Sequence, residues 1–220
     1  QDIGLTDEQI SGSLQFTEGR VGDLMKVAMR HEDGKAWFGA APPDLSVEAR
    51  ARASESGSGA DWIYTYLRSY YRDGSRETGW NNAIFPNVGM PNPLWQWQGM
   101  RGAVEERVAP VTDEATGKVT GWTKTTITYD REGNKSEKVE KVDGDGLHEG
   151  THFTLGTPEG GTLSQAEFDD KVANLVAFMK FMSDPSASTR GRLGIWVLLF
   201  IALFVGCTWW LNREYWKDIK

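Results

Sequence analysis

One cysteine in 220 residues, Cys207, excludes an internal disulfide, a CxxC redox centre and a cysteine-ligated cluster within this sequence. It lies inside an apolar run, where a cysteine serves as a small hydrophobe. Histidine is equally scarce, with His31, His148 and His152 as the whole supply. No glycine-rich phosphate loop and no G-x-S-x-G nucleophile elbow is present. Basic surface is lacking too: 24 Lys and Arg stand against 31 Asp and Glu, a net charge of -7 and a pI near 5.1. That balance argues against nucleic acid and suits a basic partner, or simply solubility. The opening QDIGLTDEQI has neither a basic leader nor an apolar stretch, so no signal peptide is expected within it.

What is present suffices for one domain with a core plus an appendage, since 39% of the residues are hydrophobic and 25% charged. Thr6 and Gln9 form a capping-box pattern that starts a short helix, and Val21 to Met29 reads as a second. RHEDGK then reads as an exposed turn carrying a solvated His31. WFGAAPP (37–43) cannot be regular, and Asp44 behind Pro42 and Pro43 is placed to cap a helix over LSVEARARA. Ser58 and Asp61 open a further helix whose aromatic face, Trp62, Ile63, Tyr66, Leu67, Tyr70 and Tyr71, is expected to run to Gly74.

Residues 100–150 are rich in charge and threonine and read as a polar β-hairpin excursion. A capping box at Ser164 and Glu167 then starts a helix with the stripe Phe168, Val172, Leu175, Val176 and Met179, which stops before Asp184-Pro185. From Leu193 to Asn212 no residue is charged, Arg190, Arg192 and Arg213 flank the run, and Trp209, Trp210, Tyr215 and Trp216 crowd one end. Twenty residues of helix span about 30 Å, the hydrocarbon thickness of a bilayer. Residues 1–183 are therefore expected as the soluble domain, 184–192 as linker, 193–212 as the membrane helix and 213–220 as its tail.

Two motifs could carry chemistry. His148-Glu149-Gly150-Thr151-His152 matches HExxH, the zinc hydrolase pattern, but that geometry needs a helix, and Gly150 with the surrounding glycines denies one. Asp143 and Asp145 could attract calcium, yet the rest of an EF-hand loop is missing and an acidic turn is simpler. FPNVGMPNPLW (85–95) is rigid and uncharged, with Pro86, Pro91 and Pro93 fixing φ and Gly89 permitting close approach beside Met90. Its methionine reads either as a core gap-filler or as a thioether ligand to haem iron.

APPDLSVEARAR, GADWIYTYLRSYYRD, TGWNNAIFPNVGMPNPLW, the late helix, the C-terminal anchor and the ending NREYWKDIK together resemble cytochrome c1, the haem subunit of quinol:cytochrome c reductase. The resemblance runs over nearly the whole chain and is weakest at 100–150. It implies a mainly α, c-type cytochrome-like domain with an inserted β-hairpin and one C-terminal transmembrane helix. It further implies haem c, with Met90 as axial ligand and with Pro43 and Arg50 in the cofactor site, Arg50 reaching a propionate. The family's CxxCH attachment motif does not occur in the sequence, and none of the three histidines matches its proximal ligand, so the motif is expected upstream of residue 1.

The implied activity is electron relay from a Rieske iron-sulfur protein to a soluble cytochrome c, beside a cytochrome b subunit in a dimeric complex of the bacterial inner membrane. The large domain would be periplasmic and the C-terminus cytoplasmic. The rival readings are a membrane-anchored zinc hydrolase and a haem-free structural subunit.

Overall fold

The computed structural model of the chain describes residues 4–16, 18–24, 26–55, 57–112, 119–142 and 148–217. His31–Lys180 forms one compact unit, and residues 1–30 with 181–220 form another. The Asp143/Asp145 turn lies outside the described residues.

In the smaller unit, helix α1 (Asp7–Ser13) begins on the expected capping box, with Thr6 N donating to Gln9 Oε1 at 2.9 Å and Gln9 N to Thr6 Oγ1 at 3.3 Å. Among the described residues between 21 and 29 no helix forms. The chain instead turns there, and Arg20 N donates to Asp23 Oδ2 at 2.9 Å in a local side-chain turn that competes with helix. Helix α7 (Ala187–Tyr215) is the other element of this unit. It exceeds the expected 193–212 at both ends: the stretch long and apolar enough to cross a bilayer is Thr189–Tyr215, whose most apolar 18-residue window has a mean hydropathy of 2.1 and is not buried in protein. Arg190 pairs with Asp184 at 2.6 Å before it, and Arg213 stands 5.7 Å over the Trp209 ring near its end.

The larger unit opens with α2 (His31–Phe38), where a turn was expected. Glu32 and Asp33 in its first turn favour the helix dipole, which Gly34 alone does not overcome, and Gly39 at φ +75° ends it. Asp44 does cap, accepting from Ser46 N at 2.8 Å, but the helix behind it is a short 3-10 turn (Leu45–Val47) followed by α3 (Glu48–Ala51). Helix α4 (Gly59–Leu67) starts on Ser58 and stops well short of Gly74. Ser69 Oγ donates to Thr65 O, the Arg101 guanidinium takes the carbonyls of Arg68 and Tyr70, and Tyr70–Arg72 becomes strand β1, antiparallel to β2 (Trp80–Asn82).

After α5 (Trp95–Gln98), Gly99 at φ +84° turns the chain into β3 (Gly99–Met100). A Cβ there would lie 2.3 Å from Glu159 O, so only glycine fits. The hairpin expected over 100–150 is a larger structure. Strands β4 (Ala103–Thr112), β5 (Val119–Tyr129), β6 (Lys135–Val142) and β7 (Gly150–Leu155) form an antiparallel sheet in the order β6-β5-β4-β7, and β8 (Glu159–Gly160) pairs with β3. Of the described residues 41% are helical and 24% in strands, so helix predominates as expected, but the insertion contributes a four-stranded sheet where a single hairpin was expected. One end of the sheet is anchored: Ala103, Ile127 and Tyr129 bury against Tyr71, with Phe153 and Leu155 packed on them.

Helix α6 (Gln165–Ser183) keeps its capping box, with Ser164 N donating to Glu167 Oε2 at 2.9 Å. Phe168, Val172 and Val176 bury against Ile63 and Leu67 of α4 and Ala49 of α3. Arg68 clamps the same pair of helices through both oxygens of Asp169, 2.7 Å each.

Candidate functional site

The loop from Phe85 to Trp95 is held by three asparagines whose side chains replace missing backbone partners. Asn82, buried on β2, accepts from Ile84 N at 3.1 Å and Phe85 N at 3.2 Å, and donates to Tyr66 O of α4 at 2.8 Å. Asn81 accepts from Asn82 N and Asn87 N, both at 2.9 Å, and Asn87 takes the left-handed conformation at φ 63° that asparagine tolerates. Asn92 accepts from Leu94 N at 2.9 Å and donates to Gln98 Oε1 at 2.6 Å. With Val88 buried beside Tyr70 and Trp80, the loop is fixed on both sides of Met90.

Asp73, 1% exposed, supports this frame from below, taking Asn81 Nδ2 at 2.9 Å and the Ser75 hydroxyl at 2.6 Å. Burial pushes its carboxyl up, but the bonds from Ser75 and Asn81, with Arg76 nearby, outweigh that and hold it below the usual carboxylate range. Tyr70 donates its hydroxyl to the Tyr66 oxygen at 2.6 Å, and burial pushes both phenols up, so they stay neutral.

Met90 itself is not a core methionine. It is 43% exposed at the tip of the fixed loop, and a Cβ added at Gly89 would meet open space, so room for a flat ligand adjoins the thioether. Ile84, Phe85 and Trp95 on the same segment are exposed as well. Phe85 stands edge-on to Trp62 and Tyr66, each 6.3 Å away, and those two rings stack at 5.0 Å. Arg52 lies 4.5 Å over Trp62 and 5.8 Å over Phe85, its Nε bonded to Glu48 at 2.6 Å.

The structure thus joins Arg52, rather than Arg50, to the wall beside the loop. Arg50 is exposed with no ion pair among the described residues, and Pro43 is exposed ahead of the 3-10 turn. Arg52 and the asparagines escape a sequence reading. The only signals are the asparagines of WNN (80–82) and PNP (91–93) and a second arginine two residues after the first.

Tested against a haem, these residues fit one side of it: a soft thioether on a stiff loop, open space beside it, apolar and aromatic walls, and two arginines on one short turn. The cysteine and histidine side is not offered by the described residues, since Cys207 lies in α7 and His31 on α2. His148 precedes β7, and His152 sits on that strand opposite Glu106, both exposed. Strand spacing sets residues four apart at about 13 Å, so the HExxH pattern lacks the shared helical face that zinc requires.

No family model matches the chain. Over 218 residues, 99% of its length, the chain is 37% identical to a Nitrosomonas europaea protein named ammonia monooxygenase gamma subunit, of which it covers 71%. It is 33% identical over its full length to cytochrome c1 of Allochromatium vinosum, covering 73% of that protein. Cytochrome c1 of Blastochloris viridis matches at 26% over 83% of the chain and 51% of the relative. The ordered match of the Met90 loop, the α3 and α4 segments and the apolar C-terminal helix is thus matched by identity along the whole chain, which belongs to the cytochrome c1 family.

Proposed function

We propose that the chain is the membrane-anchored electron-transfer subunit of a quinol:cytochrome c reductase, taking electrons from a Rieske iron-sulfur protein and delivering them to a soluble cytochrome c. Residues 1–183 would form its periplasmic domain, 184–192 the linker, α7 the single anchor and 213–220 the cytoplasmic tail, with cytochrome b as the membrane neighbour and the complex a dimer. The observation that carries this reading is the exposed Met90 thioether at the tip of a loop fixed by three asparagines, in a chain of the cytochrome c1 family.

A bound haem c supplies one-electron chemistry at its iron. Everything else falls to side chains. Met90 would offer the iron a neutral, polarisable donor, which favours the reduced metal and so would keep the potential high. Asn81, Asn82 and Asn92 hold the loop in place before and after an electron arrives, so little of it has to reorganise. Phe85, Trp62 and Ile84 would offer apolar surface to the cofactor on the thioether side. Arg50, free of ion pairs among the described residues, would pair with a propionate carboxylate, and Arg52 holds the aromatic wall in place.

A reduced-minus-oxidised spectrum of the complete complex tests this. The expected result is a c-type signal that comigrates with this chain in a denaturing gel and is reduced by quinol. A chain without covalent haem overturns it. The name of the Nitrosomonas relative favours a second reading, membership of an ammonia monooxygenase assembly. Copurification separates the two, with cytochrome b and Rieske subunits accompanying the chain under the first.

A further inference from the structure

Between the end of α4, β3 and the start of α6 lies a cavity of about 520 Å³, lined among others by Arg68, Gln98, Arg101, Leu155, Leu163 and Phe168. Three of its lining side chains, Arg101, Gln98 and Arg68, keep donor hydrogens unspent. Arg101, 7% exposed, donates Nε to Tyr70 O at 2.8 Å and Nη2 to Arg68 O, and its Nη1 has no acceptor among the described residues. Gln98, 5% exposed, uses Oε1 to accept from Asn92 at 2.6 Å, and its Nε2 likewise has none. Arg68 gives Nε and Nη2 to Asp169, leaving Nη1.

Asp169 pairs with Arg68 and also accepts from Gln165 Nε2 at 2.7 Å, while Arg101 has no carboxylate partner among the described residues. One positive charge is left uncompensated. Burial, and then the neighbouring Arg68, lower Arg101 to about 10, so it still carries its proton at neutral pH. A buried cation bonded only to carbonyls is costly unless an anion accompanies it. The volume falls in the small-molecule range, and Leu155, Leu163 and Phe168 supply an apolar wall.

We infer that this cavity binds a small organic anion, its carboxylate or phosphate group held by Arg101, Gln98 and Arg68 and its carbon skeleton against Leu155, Leu163 and Phe168. The site stands apart from electron transfer in its chemistry, although Gln98 links it through Asn92 to the Met90 loop.

The test titrates the full chain in detergent with inorganic phosphate, phenyl phosphate and benzoate at constant ionic strength, with chloride as control, reading the melting temperature and the phosphorus line width. Saturable stabilisation is expected, with phenyl phosphate about tenfold tighter than inorganic phosphate because of the apolar wall. Benzoate against phenyl phosphate shows which oxyanion is preferred.

Gln98→Glu keeps the acceptor for Asn92 and places a carboxylate beside Arg101. It should melt no lower than the parent without ligand and bind about tenfold or more weakly. Thr157→Glu, at an exposed lining position, should weaken binding in the same direction without touching the core. A response no greater than that to chloride, or one unchanged in both variants, overturns the site.

Discussion

At the scale of single residues, the site depends on side chains that replace backbone. Asn81, Asn82 and Asn92 bond to loop amides that no strand or helix serves, and Asp73 fixes Asn81 in turn. Because the folded state holds the Asp73 carboxyl below its ordinary value of 3.8, its contribution is fully present above that value and is lost as pH falls through the lower folded one. Asp73→Asn should cost about 1.5–3 kcal/mol at pH 7, the range for hydrogen bonds to a charged group. The gap between variant and parent should narrow on acidifying below about pH 4. Thermal melts of both proteins at pH 7 and pH 3.5 check it, and an equal deficit at the two values would show that Asp73 acts only through its shape. None of this frame was legible beforehand. Asn82 meets Tyr66 across sixteen residues of chain, a tertiary contact with no local pattern, whereas Met90, Gly89 and the prolines around them marked the loop by their own covalent geometry.

At the scale of elements, reading succeeded where a signal was local. The capping boxes at Thr6 and Ser164, the caps at Asp44 and Ser58 and the stripe Phe168, Val172 and Val176 all stand in the structure as their spacing requires. It failed where a distant group decides. Tyr70 and Tyr71 continue the helical periodicity of α4, yet the Arg101 side chain captures the carbonyls that another turn would use, and β2 takes the segment as a strand. Similarly β7 was hidden because the glycines of its approach looked like a loop, while its partner β4 lies some forty residues earlier. That strand carries His152 of the HExxH pattern, with His148 just before it. Replacing His148 and His152 together by alanine should leave metal content and electron transfer at parental levels, as measured by elemental analysis and quinol-dependent cytochrome c reduction. Stoichiometric zinc that vanishes in the double variant would contradict it.

At the scale of the whole molecule, α7 is long and apolar enough to serve as a single membrane anchor, as fits a member of the cytochrome c1 family, and its arginines at both ends leave orientation undecided by charge. Protease added to intact spheroplasts should degrade residues 1–183 and spare an epitope placed after Lys217. Protection of the large domain would reverse the topology. The account as a whole rests on Met90. Potentiometric titration of the complete complex carrying Met90→Lys, followed in the visible spectrum, tests it most directly, because a hard amine in place of the soft thioether stabilises ferric iron. The account predicts a covalently retained haem whose midpoint has fallen far enough to stop electron transfer from the Rieske centre. A variant with the parental midpoint and spectrum would contradict it.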